Sequence, residues 1–208
     1  AMGSKKSPHH PDVDILLPLG PAKLLSASGF KRSGRNFVRH GHVTVAGVYF
    51  RTSQFGANTF QVLLSVFLPA HHELVSGRPF PSNPFPGKAV ALVGRDVCAP
   101  RETGSDSPWW QISFGIEIEP MASSLTLALQ GALPFFDAWS DPAEVRERLL
   151  SGGVPGAPIH LGTAALASLF LHAGDVEAAD RALQESALPT ALLSAVSARL
   201  RARLLAQS

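Results

Sequence analysis

The first half of the chain carries the hydrophobic pattern of β-strands. Residues 59–69, TFQVLLSVFLP, place an apolar side chain at every second position, and this period of two is typical of a strand with one buried face. Related patterns occur at 36–39, 43–53 and 109–119. Turn-forming residues separate the segments at 36–39, 43–53 and 59–69 from one another. These segments predict an antiparallel sheet of about four to five strands.

Helical signals lie on both sides of this predicted sheet. Pro21 suits the first turn of a helix and Gly29 suits the left-handed residue just past a helix end, so a short helix is predicted over about residues 21–28. Beyond Pro120, leucine and phenylalanine recur at helical spacing. The sequence therefore predicts an α+β fold: an N-terminal helix and an antiparallel sheet, followed by an all-helical C-terminal third.

The clearest helix start lies at Asp141, whose carboxylate can cap a helix. Pro142 suits the first helical position, and Glu144 is the acid of a capping box. Further helices are predicted over about 160–173, about 175–187 and from Pro189 onwards. We divide the chain into a tag-like, disordered segment at 1–11, a sheet domain at 12–140 and a helical extension at 141–208 packed on that domain.

Positive charge is concentrated in one part of the chain. The net charge is only +2, but residues 15–72 contain six Lys or Arg side chains and no Asp or Glu. Such asymmetry bears on the partners that a protein attracts rather than on its fold. Four of these cations fall within GFKRSGRNFVR at 29–39, where the chain enters the predicted sheet, namely Lys31, Arg32, Arg35 and Arg39.

Two tryptophans complete the set of candidate binding residues. Adjacent residues on a strand point to opposite faces, so one ring of Trp109 and Trp110 can enter the core while the other stacks on a ligand. The sequence predicts a long loop between Pro69 and Pro108, and the favoured interpretation is that its Pro-rich part at 76–108 covers both rings. The candidate binding residues are Lys31, Arg32, Arg35, Arg39, Arg51, Trp109 and Trp110.

The sequence contains no complete catalytic or cofactor-binding motif. PGKA at 86–89 lacks two defining residues of a phosphate-binding loop, and no serine-hydrolase elbow occurs. His71, His72 and Glu73 do not extend to a zinc-protease motif, because residue 76 is serine. The remaining candidates are the His40 and His42 pair beside a turn, and Glu117 with Glu119 on one face of the last strand. We assign no catalytic residue, no metal and no cofactor.

Features that bear on cellular location point to the cytoplasm. The single cysteine, Cys98, cannot form an intrachain disulfide, which fits a reducing compartment. No apolar run approaches the roughly 18 residues that a membrane-spanning helix needs. We therefore expect a cytoplasmic protein without a membrane segment.

The order of several motifs resembles a known family. GFKRSGRNFVR precedes the strands VTVAGVYFRTSQF and TFQVLLSVFLP, then WWQIS, then a helix ending LPFFDAWSDPAEVRERLL. Over about residues 20–150 this order resembles the bacterial family named domain of unknown function 4304. The resemblance implies an intracellular α+β domain with a helical tail, and it brings no known activity. Residues 166–187 also resemble half of a tetratricopeptide-type hairpin; with one such unit only, we expect a simple helical hairpin.

Three functions are compatible with these observations. The sequence favours a non-catalytic protein-binding module, of the immunity, antitoxin or regulatory kind, whose partner is acidic because the 15–72 segment is basic. The first alternative is a nucleic-acid-binding protein that uses the basic 31–51 segment. The second is a hydrolase with a site built from histidines and Glu73.

Overall fold

The chain forms two compact units. The structure, a computed structural model, describes residues 13–53, 56–100, 107–112, 117–152, 159–185 and 190–205. The first unit contains the described residues up to Phe37, with those of Val48–Leu63 and Asp96–Ala132. The second contains those of Val38–Gly47, Leu64–Arg95 and Leu133–Ser208.

The predicted antiparallel sheet is confirmed, and it contains six strands within the described residues. Its order is β1-β2-β3-β4-β5, and β6 also pairs with β4. Two short strands, β1 and β5, were not predicted as such. The strands are β1 Lys31–Ser33, β2 Asn36–His40, β3 Val45–Ser53, β4 Gly56–Phe67, β5 Val93–Asp96 and β6 Trp109–Gln111.

The helices lie before, within and after the sheet segments. Two 3₁₀ helices, Val13–Ile15 and Leu17–Leu19, precede the first α-helix. The α-helices of the described chain are α1 Pro21–Ala27, α2 Pro69–Ser76, α3 Ile118–Ala132, α4 Pro134–Asp137, α5 Pro142–Gly152, α6 Ile159–His172, α7 Val176–Gln184 and α8 Thr190–Leu205. Among the described residues, no helix is both long and apolar enough to cross a membrane.

A row of aromatic rings crosses the sheet in the first unit. Phe37 on β2 meets Phe50 on β3 edge to face at 5.9 Å, and Phe50 lies 6.5 Å from Phe60 on β4. Phe60 is the register partner of Trp110 on β6, and their rings stack at 6.2 Å. The Trp110 indole N–H donates to the Val97 carbonyl at 2.8 Å. Cross-strand aromatic pairs of this kind stabilise a sheet.

Helix α1 ends as its sequence predicts. The Ser28 amide donates to the Leu24 carbonyl, Gly29 adopts a left-handed φ of 83°, and the Phe30 amide reaches back to the Leu25 carbonyl. These bonds satisfy carbonyls that the end of the helix leaves open. Phe30 is buried, so the turn carries the chain directly into the core before β1 begins.

The second unit has a helical core to which α2 contributes. Leu74 of α2 is fully buried against residues of three later helices: Ala167 of α6, Ala179, Ala182 and Leu183 of α7, and Val196 and Leu200 of α8. Helices α6 and α7 form the expected helical hairpin, with Gly174 at φ 78° in the connection and Asp175 capping α7 through the Ala178 amide. Asp141 caps α5 in the same way, at the amides of Ala143 and Glu144.

Two predictions about local structure are wrong. Helix α2 lies at the start of what the sequence suggested was a loop. The strand predicted over 109–119 ends at Gln111, residues 113–116 lie outside the described chain, and helix α3 begins at Ile118. Glu119 is therefore helical, and it does not pair with Glu117 on one face of a strand.

The C-terminal end of α2 is held by an arginine from α8. Arg199 Nη1 donates to the carbonyls of Leu74 and Val75 at 2.8 and 2.7 Å. A cation in this position complements the negative end of the helix dipole. Gly77 ends the helix with φ 69°, and a Cβ added there would lie 2.8 Å from Cζ, Nε and Nη2 of Arg199. The absence of a side chain at residue 77 lets the guanidinium approach the helix end.

We predict that Gly77→Ala destabilises the protein more than Gly174→Ala does. Both glycines have a left-handed φ, which costs about 1 kcal/mol for alanine, but space around Gly174 is open. Alanine at residue 77 must also displace the Arg199 guanidinium, which costs about 1–3 kcal/mol more if both hydrogen bonds are lost. Urea denaturation of the two variants measures the difference, and equal losses would show that the arginine adds nothing.

Candidate functional site

Arg35 ties the start of β2 to the first 3₁₀ helix. Its Nε and Nη2 donate to Asp14 Oδ2 at 3.1 and 2.7 Å, and its Nη1 donates to Thr52 Oγ1 at 3.4 Å. The Arg35 carbonyl accepts from the Phe50 amide, which fixes the backbone beside β3. Arg35 therefore has a structural role as well as a charge.

The Asp14 carboxylate lies among positive charges. The hydrogen bond from Arg35 lowers the pKa of Asp14; partial burial opposes this shift, and the charges of Arg35 and Arg32 lower the pKa further. The carboxylate therefore stays ionised well into acid. Asp14 thus offsets part of the positive charge of this basic segment.

Lys31 and Arg32 lie on β1, the outermost strand on one side of the sheet, where every residue is exposed. The Arg32 Nε donates to the Gly34 carbonyl at 2.8 Å, and its guanidinium lies 5.7 Å from the centre of the Phe37 ring. Gly34 has a left-handed φ of 61°, which forms the turn into β2. Two adjacent residues of the edge strand thus carry exposed cations, with their side chains on opposite faces of the strand.

The other two predicted cations have different surroundings. Arg51 is exposed near the end of β3. Arg39, in the second unit, is half-buried with its guanidinium 5.9 Å from the centre of the Phe136 ring. It also lines a hollow of about 30 Å³ with Thr44 and Trp139. Arg39 is therefore packed against an aromatic ring rather than extended into solvent.

The two tryptophans face opposite sides, as adjacent strand residues should. Trp110 is 3% exposed and belongs to the aromatic row, so it is not available to stack on a ligand. Trp109 is 44% exposed, and the expectation that both rings are covered is wrong for it. Trp109 does not lie beside Lys31 and Arg32, because β2, β3 and β4 separate β6 from β1, a width of about 19 Å.

The histidines of α2 are structural. His72 is buried, and its Nδ1 accepts from the Val90 amide at 3.0 Å, so a neutral ring carries its proton on Nε2 and donates to Ser76 Oγ at 3.3 Å. Glu73 accepts from the Phe80 amide and pairs with Arg203 of α8. These contacts hold α2 and the following loop, and they leave little free for catalysis.

His71 is fully buried, and neither ring nitrogen makes a hydrogen bond of standard geometry with any residue that the structure describes. Burial lowers the pKa of His71 to about 4; a backbone interaction with Ala164 opposes the shift and the nearby His72 adds to it. The ring is therefore neutral at physiological pH. It is fully buried where α2 packs against α6.

The remaining sequence candidates are two histidines beside a turn and the single cysteine. His40 and His42 are exposed, and His42 contacts the His172 ring at 6.3 Å. Cys98 is a free, half-buried thiol. Over the ranges that the structure describes, no three His, Cys, Asp or Glu side chains converge as a metal site would require.

The comparison with protein families agrees with the order of elements along the chain. The family described as a domain of unknown function, DUF4304, matches residues 21–138, more than half of the 208-residue chain. The chain belongs to the DUF4304 family. No curated protein and no protein of solved structure matches it.

The DUF4304 match covers the basic residues at 31–51, Trp109 and helix α2, but it ends before α5. The two arginines that contact α2, Arg199 and Arg203, therefore come from outside the matched region. Sequence reasoning missed both of them, since nothing local to α8 indicates a partner some 125 residues away. It missed Asp14 for the same reason. Helix α2 itself had a usable signal, a proline at its first position and a glycine just after its end.

We predict that stability falls in acid because of His71. The folded pKa of about 4 lies below the unfolded value of 6.5, so below pH 6.5 the unfolded state binds a proton that the folded state does not. The free energy of unfolding should fall by about 3 kcal/mol in all, mostly between pH 6.5 and 4, and the loss should level off below pH 4 as the folded state also binds the proton. His71→Leu should flatten the decline and also remove an unsatisfied polar ring.

Urea denaturation at several pH values across this window measures the effect. His40→Leu is the matched control, since it makes the same substitution at an exposed residue. If His71→Leu and wild type lose stability in parallel, the buried ring is not the cause of the acid sensitivity.

Proposed function

We propose that this DUF4304 protein is a non-catalytic protein-binding module that recognises an acidic partner surface. Immunity, antitoxin or regulatory proteins are the classes to which such a module would belong. As part of the same proposal we place it in the bacterial cytoplasm, where the unpaired Cys98 stays a thiol.

The observation that carries the proposal is the pair of cations on the edge strand β1. Lys31 and Arg32 are both exposed, and Asp14, which interacts with Arg32, is already bound by Arg35. The strand therefore keeps an excess of positive charge that a complementary partner can use. Charge of this kind steers association and selects between partners more than it adds affinity.

The arrangement of the aromatic residues favours a protein over a nucleic acid. Proteins that bind single strands place stacking rings along the groove that holds the phosphates. Here the exposed Trp109 lies on β6, and three strands separate it from β1, which carries Lys31 and Arg32. A large exposed aromatic residue remains suitable as an anchor in a protein interface.

The contacts of α2 weigh against the histidine-containing hydrolase. The residues suggested for that site, His71, His72 and Glu73, are occupied by packing, by backbone hydrogen bonds or by an ion pair. A general base needs to reach its substrate, and the rings of His71 and His72 are buried.

We predict that reversing the charge of β1 weakens binding to the partner. Wild-type protein, Lys31→Glu with Arg32→Glu, and a matched double variant, Arg146→Glu with Arg201→Glu, are used as bait in nuclease-treated extract of the native host. The control pair is also exposed and changes the net charge equally. We expect wild type and the control to capture the same acidic protein, and the β1 variant to bind it at least about tenfold more weakly.

Titration calorimetry of the purified partner with each of the three bait proteins, at several salt concentrations, then measures the affinities. Capture that is equal for all three baits would contradict a role for β1, and the absence of any stoichiometric partner would contradict the protein-binding function. Anisotropy with a labelled single-stranded oligonucleotide tests the nucleic-acid alternative, for which affinity should fall steeply as salt rises.

A further inference from the structure

A cavity of about 380 Å³ lies in the second unit, where the end of α2 and the loop that follows meet α8. Its charged lining consists of three arginines, Arg78, Arg199 and Arg203, and one acid, Glu73. The side chains that line the cavity therefore carry a net charge of +2. None of these residues was a candidate from the sequence except Glu73, because α2 and α8 are far apart in the chain.

Two of the three guanidinium groups are held in place by the protein. Arg199 donates through a single nitrogen, Nη1, to the carbonyls of Leu74 and Val75. Its Nε and Nη2 lie against Gly77, which has no side chain to displace them. Groups held in this way bind a ligand with a smaller loss of side-chain entropy than free arginines do.

The second fixed group is Arg203, which pairs with Glu73 at 2.5 Å. Glu73 is itself held by the Phe80 amide, which donates to Oε1 at 3.3 Å. Both side chains of the pair remain about one third exposed. The Glu73 carboxylate thus occupies one arginine of the cavity and would compete with any anion that enters.

Arg78 differs from the other two because its side chain is exposed and makes no hydrogen bond or ion pair with the described residues. Its backbone is anchored, since the Arg78 amide donates to Ser76 Oγ at 3.1 Å. The guanidinium can therefore move onto a ligand while its attachment stays fixed. A guanidinium binds a carboxylate or a phosphate through two parallel hydrogen bonds.

We propose that this cavity binds a small organic anion that carries a carboxylate or phosphate group. Arg78 closes on the anion, Arg199 and Arg203 act as fixed donors, and Glu73 sets the affinity by competing for Arg203. The volume is within the range of small-molecule sites. The site is separate from the proposed protein-binding surface, since it shares no residue with β1, and either can fail without the other.

The test uses the full chain with two simple probes, inorganic phosphate and malonate, at constant ionic strength. Backbone amide and arginine side-chain NMR signals report where each probe binds. We expect saturable shifts at Gly77, Arg78 and Ala202. Saturable shifts with phosphate alone would indicate a phosphorylated ligand, and saturable shifts with malonate alone would indicate a carboxylate ligand. Saturation by both probes would support either chemistry.

Three variants make the outcome decisive. Arg78→Gln should weaken the binding about tenfold, because one charge-assisted contact is lost. Glu73→Gln keeps an oxygen for the Phe80 amide but removes the competing charge, and it should tighten the binding about threefold. Arg201→Gln, an exposed arginine of α8 that does not line the cavity, should bind as wild type does.

Several results would overturn the proposal. These are the absence of saturable shifts, saturable shifts confined to other parts of the chain, and equal weakening by Arg78→Gln and Arg201→Gln, which would indicate unspecific attraction to positive charge. A Glu73→Gln variant that binds more weakly would likewise be incompatible with competition for Arg203. Retention of the wild-type spectrum outside the cavity confirms that each variant is folded.

Discussion

The stacking of Phe60 on Trp110 is the contact on which the first unit depends most. Strand β6 has only three residues, so its backbone pairing with β4 is too short to be stable alone. The Trp110 ring adds a large buried area, and its indole nitrogen satisfies the Val97 carbonyl. Because the inward position of Trp110 is fixed in this way, its neighbour Trp109 must point outward. A core requirement thereby determines which tryptophan is exposed.

In the second unit the equivalent constraint is the end of helix α2. Its final carbonyls lie beside the helical core and need partners, and Arg199 supplies them from α8. Arg203 and Glu73 add a second connection between the same two helices. The arginines that hold the helix end also line one cavity. The same side chains therefore contribute to stability and to the proposed binding of an anion.

Sequence patterns predicted the long elements well and the short ones poorly. The alternation in β4 and the capping residues at Asp141 are local signals, and the structure agrees with both. The run IEIE was predicted as strand because its apolar and polar residues alternate, yet α3 begins at Ile118, where packing of the helix outweighs this short pattern. Helix α2 is short and lacks a side-chain cap, so its proline and glycine were the sole signals.

The same distinction between local signals and long-range contacts applies to the candidate site. A basic segment can be found by counting charges, and its exposed members on β1 follow from that count. The acid that binds Arg35 lies 21 residues earlier, and a contact over that separation depends on the fold. The chemical roles of His71, His72 and Glu73 were likewise decided by burial and by partners from other elements, which single-sequence patterns do not contain.

The short outer strands of the sheet have a consequence for association between copies of the chain. A long, flat outer strand offers free backbone groups to another sheet and promotes aggregation. Here β1 has three residues and carries Lys31 and Arg32, while β5 has four and carries Arg95 and Asp96. The brevity and charge of these strands disfavour continuation of the sheet from one molecule into the next.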